Sequence, residues 1–243
     1  MTDTVDLQRR TLIQTAAAAT ALAAVGANAQ PVQENPTMPT LTAFESSTAL
    51  KPLAFDPAKL TGLSERLIRS HWENNYGGSV KALAVTKKQL AEALANKATP
   101  PFIYNELKRE HLLRTGSVVF HEYYFDNLGG NGQAGATERK VIADAFGSFD
   151  TWETEFRRIG AGLGGGSGWV MLGFNTHTQQ LENYWLADHA HGPAATLPLL
   201  VMDNSYQMDY GAAAGKYIDA FFRNIQWETV ARRIEVAQRG ALA

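Results

Sequence analysis

The stretch from Phe120 to Gly130, FHEYYFDNLGG, fixes one wall of the protein. His121, Tyr124, Phe125 and Leu128 stand at offsets 0, 3, 4 and 7, so a helix puts all four on one buried face. Gly129-Gly130 then stops the helix. An imidazole on an apolar face needs a partner, because an unpaired polar group there is costly to bury. Moving outward, this helical pattern begins at Phe102, and a shorter one covers Thr86 to Ala95. Before them, Leu60, Leu63, Leu67 and His71 recur at helical spacing, and the pattern runs on to Leu83 past Gly77-Gly78. His71 therefore also faces inward. Two inward histidines on packed helices can meet at a metal ion; the competing account is two unrelated core histidines bonded to tyrosines or carbonyls.

The chain changes character after residue 130. A helical pattern from Ala136 to Gly160 gives way to GAGLGGGSGWVMLGFN, which is glycine-rich and then strand-like. QQLENYWLAD and TLPLLVMD are two further strand candidates, and Gly215 to Arg239 is helical again. Three strands flanked by helices after a helical first half predict an α+β fold. The parts are an N-terminal helical hairpin over 51–130 and a C-terminal α/β part over 131–243. GAGLGGGSG lacks the Gly-Lys-Ser/Thr ending of a phosphate loop and follows no strand, so it is read as close backbone approach at a strand entry.

Composition narrows the chemistry. A formal charge of −2 with both signs interspersed disfavours a dedicated nucleic-acid binder. With no cysteine there is no disulfide, thiol nucleophile or thiolate site. A metal would have to use His, Asp or Glu, a donor set that suits iron, manganese or zinc.

Residues 1–29 read as a signal peptide. Arg9-Arg10 precedes nineteen uncharged residues ending in Ala27-Asn28-Ala29, a small-x-small cleavage site. The paired arginines point to the twin-arginine route and a periplasmic or exported protein. Nineteen residues could just span a bilayer, but the run is mostly Ala and Thr and ends in a cleavage pattern. No membrane attachment is expected after cleavage. Residues 30–50, rich in Pro, Thr and Ser, read as a linker.

Taken in order, several strings make the chain resemble the iron/manganese superoxide dismutases from about Lys51 to Arg232. LKPLAFDPAKLTGLSE looks like that family's opening, SHWENNYGGSVKAL its first ligand helix and FHEYYFDNLGG its second. FGSFDTWETEF, GGGSGWVMLGFN and NIQWETV follow in the family's order. The resemblance implies a three-stranded antiparallel sheet in the C-terminal part. It also implies an iron or manganese ion held by His71, His121 and Asp203, with superoxide as substrate.

The resemblance breaks at Leu199–Gly211, LLVMDNSYQMDYG. The family brings its last two ligands from an Asp-x-Trp-Glu-His segment. Counting from Leu197 puts the aspartate at Asp203. Counting back from Tyr210 and Tyr217 puts the ligand histidine at Asn204, as though three residues were deleted, while an ungapped count puts it at Gln207. Either amide is a weaker donor than imidazole. The family's gateway tyrosine falls at Ser79 and its neighbouring histidine at Asn75. The glutamate that bridges to the partner subunit is absent, which implies a homodimer with an altered, weaker interface. DHAH lies where the family places the Gln or His that hydrogen-bonds solvent at the metal, leaving His189 and His191 as alternatives. Three readings follow: a superoxide dismutase without its fourth ligand histidine and so impaired or retuned; a non-catalytic scaffold or binding protein of the same fold; or a metal enzyme of another reactivity.

Overall fold

The computed structural model describes residues 42–163 and 168–241. The expected signal peptide and most of the expected linker lie outside them. Short 3-10 turns at Thr42–Phe44 and Pro57–Lys59 lead into α1 (Glu65–Ser70), a π-helical turn (His71–Tyr76) and α2 (Gly77–Ala95), which run on without a break. The order then continues through α3 (Pro101–Asp126), α4 (Ala136–Phe146), α5 (Phe149–Gly162), β1 (Trp169–Asn175), β2 (Gln180–Leu186), β3 (Thr196–Asp203), α6 (Gln207–Tyr210), α7 (Ala214–Arg223) and α8 (Trp227–Ala241). Helices fill the N-terminal part, and a three-stranded antiparallel sheet of order β2-β1-β3 forms in the C-terminal part. The α+β expectation therefore holds. No helix among the described residues is long and apolar enough to cross a membrane.

Four boundaries differ from the periodic reading. Leu60 and Leu63 precede the first helix, because Ser64 caps it by accepting from the Leu67 N–H. The Thr86–Ala95 segment is the end of α2 rather than a helix of its own. The long pattern from Ala136 breaks at Gly147, whose φ of 81° only glycine adopts readily, and Ser148 caps α5 through the Thr151 N–H. The tail likewise divides at Asn224–Gln226 into α7 and α8.

Two connections place the elements that matter for the site. Asn127, fully buried just past α3, accepts from the Val201 N–H at 2.8 Å, and its own carbonyl accepts from the Gln226 N–H at 2.7 Å. The end of α3 is thus locked to β3 and to the turn before α8 by hydrogen bonds that the dry core makes costly to break. At the other end, Asp209 in α6 accepts from both the backbone N–H and the hydroxyl of Ser64, each at 2.7 Å. This pins the chain after β3 to the start of α1. Central strand β1 is buried on both faces as far as Phe174, and Pro198 sits on edge strand β3 at a register shift opposite Leu172/Gly173, where no ladder donor is required.

Candidate metal centre

His71 opens the π turn, His121 stands near the end of α3, and Asp203 closes β3, paired in register with Trp169. π turns are rare and recur at functional sites. All three side chains are almost completely buried. His71 Nε2 lies 3.0 Å from His121 Nε2 and 3.1 Å from Asp203 Oδ2, and His121 Nε2 lies 3.7 Å from the same oxygen. Among the described residues these three form the one such group of His, Cys, Asp or Glu.

The donors are prepared for a cation. The Ser117 carbonyl lies 2.6 Å from His121 Nδ1 and can only accept, so Nδ1 carries the proton and Nε2 presents its lone pair to the centre. Burial, and then the neighbouring His71, hold the His121 pKa down to about 4, which keeps the imidazole neutral. Burial works to raise the Asp203 pKa, but His71 outweighs it and holds the carboxyl down to about 2. The Ser205 N–H donates to Asp203 Oδ1 at 2.6 Å, leaving Oδ2 to the histidines. Tyr217 donates its hydroxyl to the Asp203 carbonyl. Two donors each about 2.1 Å from one ion stand about 3.0 Å apart at a right angle and about 3.6 Å apart at 120°. The separations here follow that pattern, so two imidazoles and one carboxylate fit a divalent or trivalent iron or manganese ion.

The positions around the triad are also placed. His189 sits beside His121, ring centroids 5.7 Å apart, and its Nδ1 accepts from Trp169 Nε1 at 2.9 Å. His191 is exposed and bonded to Asp188 Oδ1 at 2.7 Å, away from the triad. Asn204 is buried, and neither its Oδ1 nor its Nδ2 has a hydrogen-bond partner among the described residues; the same holds for His71 Nδ1. Gln207 lines a cavity of about 230 Å³ with His71, Asn75 and Ser205. Ser79, which the resemblance puts at the gateway tyrosine, is buried and 2.7 Å from the Ser117 hydroxyl. Sequence reasoning missed Ser117 and the Trp169–His189 bond. The first has a visible signal, four residues before His121 on the same helix face; the second joins a strand to a loop and has none.

Helical hairpin, small antiparallel sheet and a buried two-histidine, one-carboxylate centre together define a metalloprotein of the α+β class. Residues 134–233 match the family model of iron/manganese superoxide dismutases, C-terminal domain. The chain is similar to the superoxide dismutase [Fe] of Cupriavidus metallidurans, 49% identical over 193 residues that cover 78% of this chain and 98% of that protein. It is also similar to the superoxide dismutase [Fe] of Aquifex aeolicus, 32% identical over 75% of this chain and 89% of that protein. Superoxide dismutase [Mn] 2 of Haloferax volcanii is 30% identical over 79% and 97% respectively. The chain belongs to the iron/manganese superoxide dismutase family.

Proposed function

We propose that the protein is an iron- or manganese-dependent superoxide dismutase, converting two superoxide ions and two protons to dioxygen and hydrogen peroxide. The observation that carries this reading is the convergence of His71, His121 and Asp203 on one buried point. When bound, the ion supplies one-electron chemistry by alternating between its trivalent and divalent states. Everything else is done by the chain. His71 and His121 give neutral nitrogen donors and Asp203 a negative oxygen, so the site carries less negative charge than a carboxylate cluster and admits an anionic substrate. Because Trp169 donates to Nδ1 of His189, the neutral ring bears its proton on Nε2 and acts as a hydrogen-bond donor beside the centre. Burial lowers the His189 pKa, with Asp203 opposing, which favours that neutral donor over imidazolium.

No histidine stands at the fourth ligand position, so the proposed enzyme is impaired or retuned relative to a four-ligand site. Asn204 or Gln207 supplies an amide there, or solvent does. The same triad with open positions is the ground for the remaining alternative, oxygen or peroxide chemistry. Metal content and superoxide turnover of the purified protein, beside His71→Ala, test the reading. About one iron or manganese per chain with turnover, both lost in the variant, supports it. A metal-free, inactive protein that folds equally well with His71 replaced would leave a scaffold of the same fold.

Arg9-Arg10 and the uncharged run after it support export by the twin-arginine route to the periplasm, and the same reading makes 30–50 a linker and 51–130 and 131–243 the two working parts. We further propose a homodimer weaker than one held by the glutamate–histidine bridge that this chain lacks. A tight dimer in sedimentation at nanomolar protein would overturn that.

A further inference from the structure

Gly116 lies inside α3, where glycine costs about 1 kcal/mol relative to alanine. Nothing about the helix itself calls for it. A Cβ on Gly116 would stand 1.8 Å from the carbonyl oxygen of His189, 2.9 Å from its carbonyl carbon and 3.6 Å from its Cα. These are backbone atoms, which cannot swing aside like the end of a side chain. Reaching ordinary contact would need the loop to retreat by more than about 1 Å, enough to break a hydrogen bond of normal length. The loop in question joins β2 to β3 and carries His189, whose ring is held by Trp169 Nε1 at 2.9 Å and lies beside His121. Trp169 is itself fully buried and meets His121 edge to face at 5.0 Å, so it cannot follow a retreating loop.

We propose that Gly116 is a positioning residue: the missing side chain is the notch that seats the His189 backbone against α3 and so brings the His189 ring to Trp169 and the metal centre. The consequence for catalysis rests on the role proposed above for His189; the seating does not. The three atoms nearest that Cβ all belong to the His189 backbone, so Gly116 acts through the loop.

The test is Gly116→Ala in the full chain, read first in the metal-free protein by the indole N–H resonances of its five tryptophans, with the Trp169 signal assigned from Trp169→Phe. The Trp169 signal should move upfield as its hydrogen bond to His189 is lost, while the other four stay in place. A folded variant whose Trp169 signal does not move overturns the inference. Should the variant not fold, one glycine inserted after Gly192 gives the loop slack; folding should return with the Trp169 signal still shifted, and a signal back at the wild-type position overturns the inference. In the iron-loaded protein, turnover should fall 10-fold or more, to the level of His189→Ala, with no further loss in the double variant. A shifted indole signal with turnover unchanged in both single variants would overturn the role of His189 while leaving the seating by Gly116 in place.

Discussion

The Nδ1–H of His121 donates to the carbonyl of Ser117, one turn back on the same helix, at 2.6 Å. The Ser117 hydroxyl lies 3.2 Å from the same nitrogen and 2.7 Å from the hydroxyl of Ser79. The carbonyl fixes the tautomer, and the hydroxyl pair closes the gap between α2 and α3. Ser117→Ala should therefore keep the lone pair aimed at the centre but strand Ser79 in a dry site. We expect a stability loss of about 1–3 kcal/mol, the cost of a buried unsatisfied group, with metal affinity reduced less than about 10-fold because the carbonyl remains. The double variant Ser79→Ala/Ser117→Ala should recover most of the loss. Urea unfolding of the parent protein, Ser117→Ala and the double variant checks this, and a double variant no more stable than Ser117→Ala would refute it.

The acid response of the metal-free protein follows from His121. An unfolded imidazole titrates near 6.5, while in the fold burial and then His71 hold this one to about 4. Between those values the unfolded chain binds a proton that the folded chain refuses, so stability falls as pH drops through this window and levels off below it. The contribution is roughly 3 kcal/mol. Asp203 acts lower: held to about 2 by His71 against the effect of burial, it stabilises the fold above the ordinary carboxylate range and loses that stabilisation as pH falls toward 2. Unfolding free energies at pH 7, 5.5 and 4.5 should show the first decline, flattened in His121→Gln.

Asn204 follows Asp203 in the segment where the proposed site lacks a fourth histidine. Its amide is buried without a hydrogen-bond partner among the described residues, and such a group costs about 1–3 kcal/mol. Asn204→Leu, close in volume, should raise the stability of the metal-free protein by about 1 kcal/mol or more. If the amide is the fourth donor, the same substitution should weaken iron binding by 10-fold or more. Thermal melts and metal titrations separate the two effects, and a destabilised metal-free variant would contradict the first.

Much of this was legible in the sequence because helix periodicity is a local property. His121, Tyr124, Phe125 and Leu128 share a buried face as their spacing requires, and His71 and Asp203 come together with His121. The start of α1 was misread because apolar Leu60 and Leu63 continue the helical spacing although their backbone does not. Only the Ser64 cap marks the true boundary. The break at Gly147 was hidden by a single residue in a long periodic run. The choice between His189 and His191 was beyond reach. It depends on the path of a loop seated by Gly116, a residue more than seventy positions earlier.

That choice yields the sharpest contrast in function. His189 and His191 are two residues apart, of identical chemistry, and were equal candidates on sequence. His189 has its Nδ1 tied to Trp169 and its ring beside His121, whereas the His191 side chain is 55% exposed and pairs with Asp188. Removing a group that hydrogen-bonds the surroundings of a metal typically costs 10–100-fold, so His189→Ala should lower kcat by at least 10-fold with the metal retained. An exposed ion pair contributes about 0–1 kcal/mol, so His191→Ala should change turnover less than about 2-fold and stability less than about 1 kcal/mol. Superoxide turnover at matched metal content distinguishes them. Equal losses in the two variants would mean that the loop as a whole, rather than the His189 ring, serves the centre.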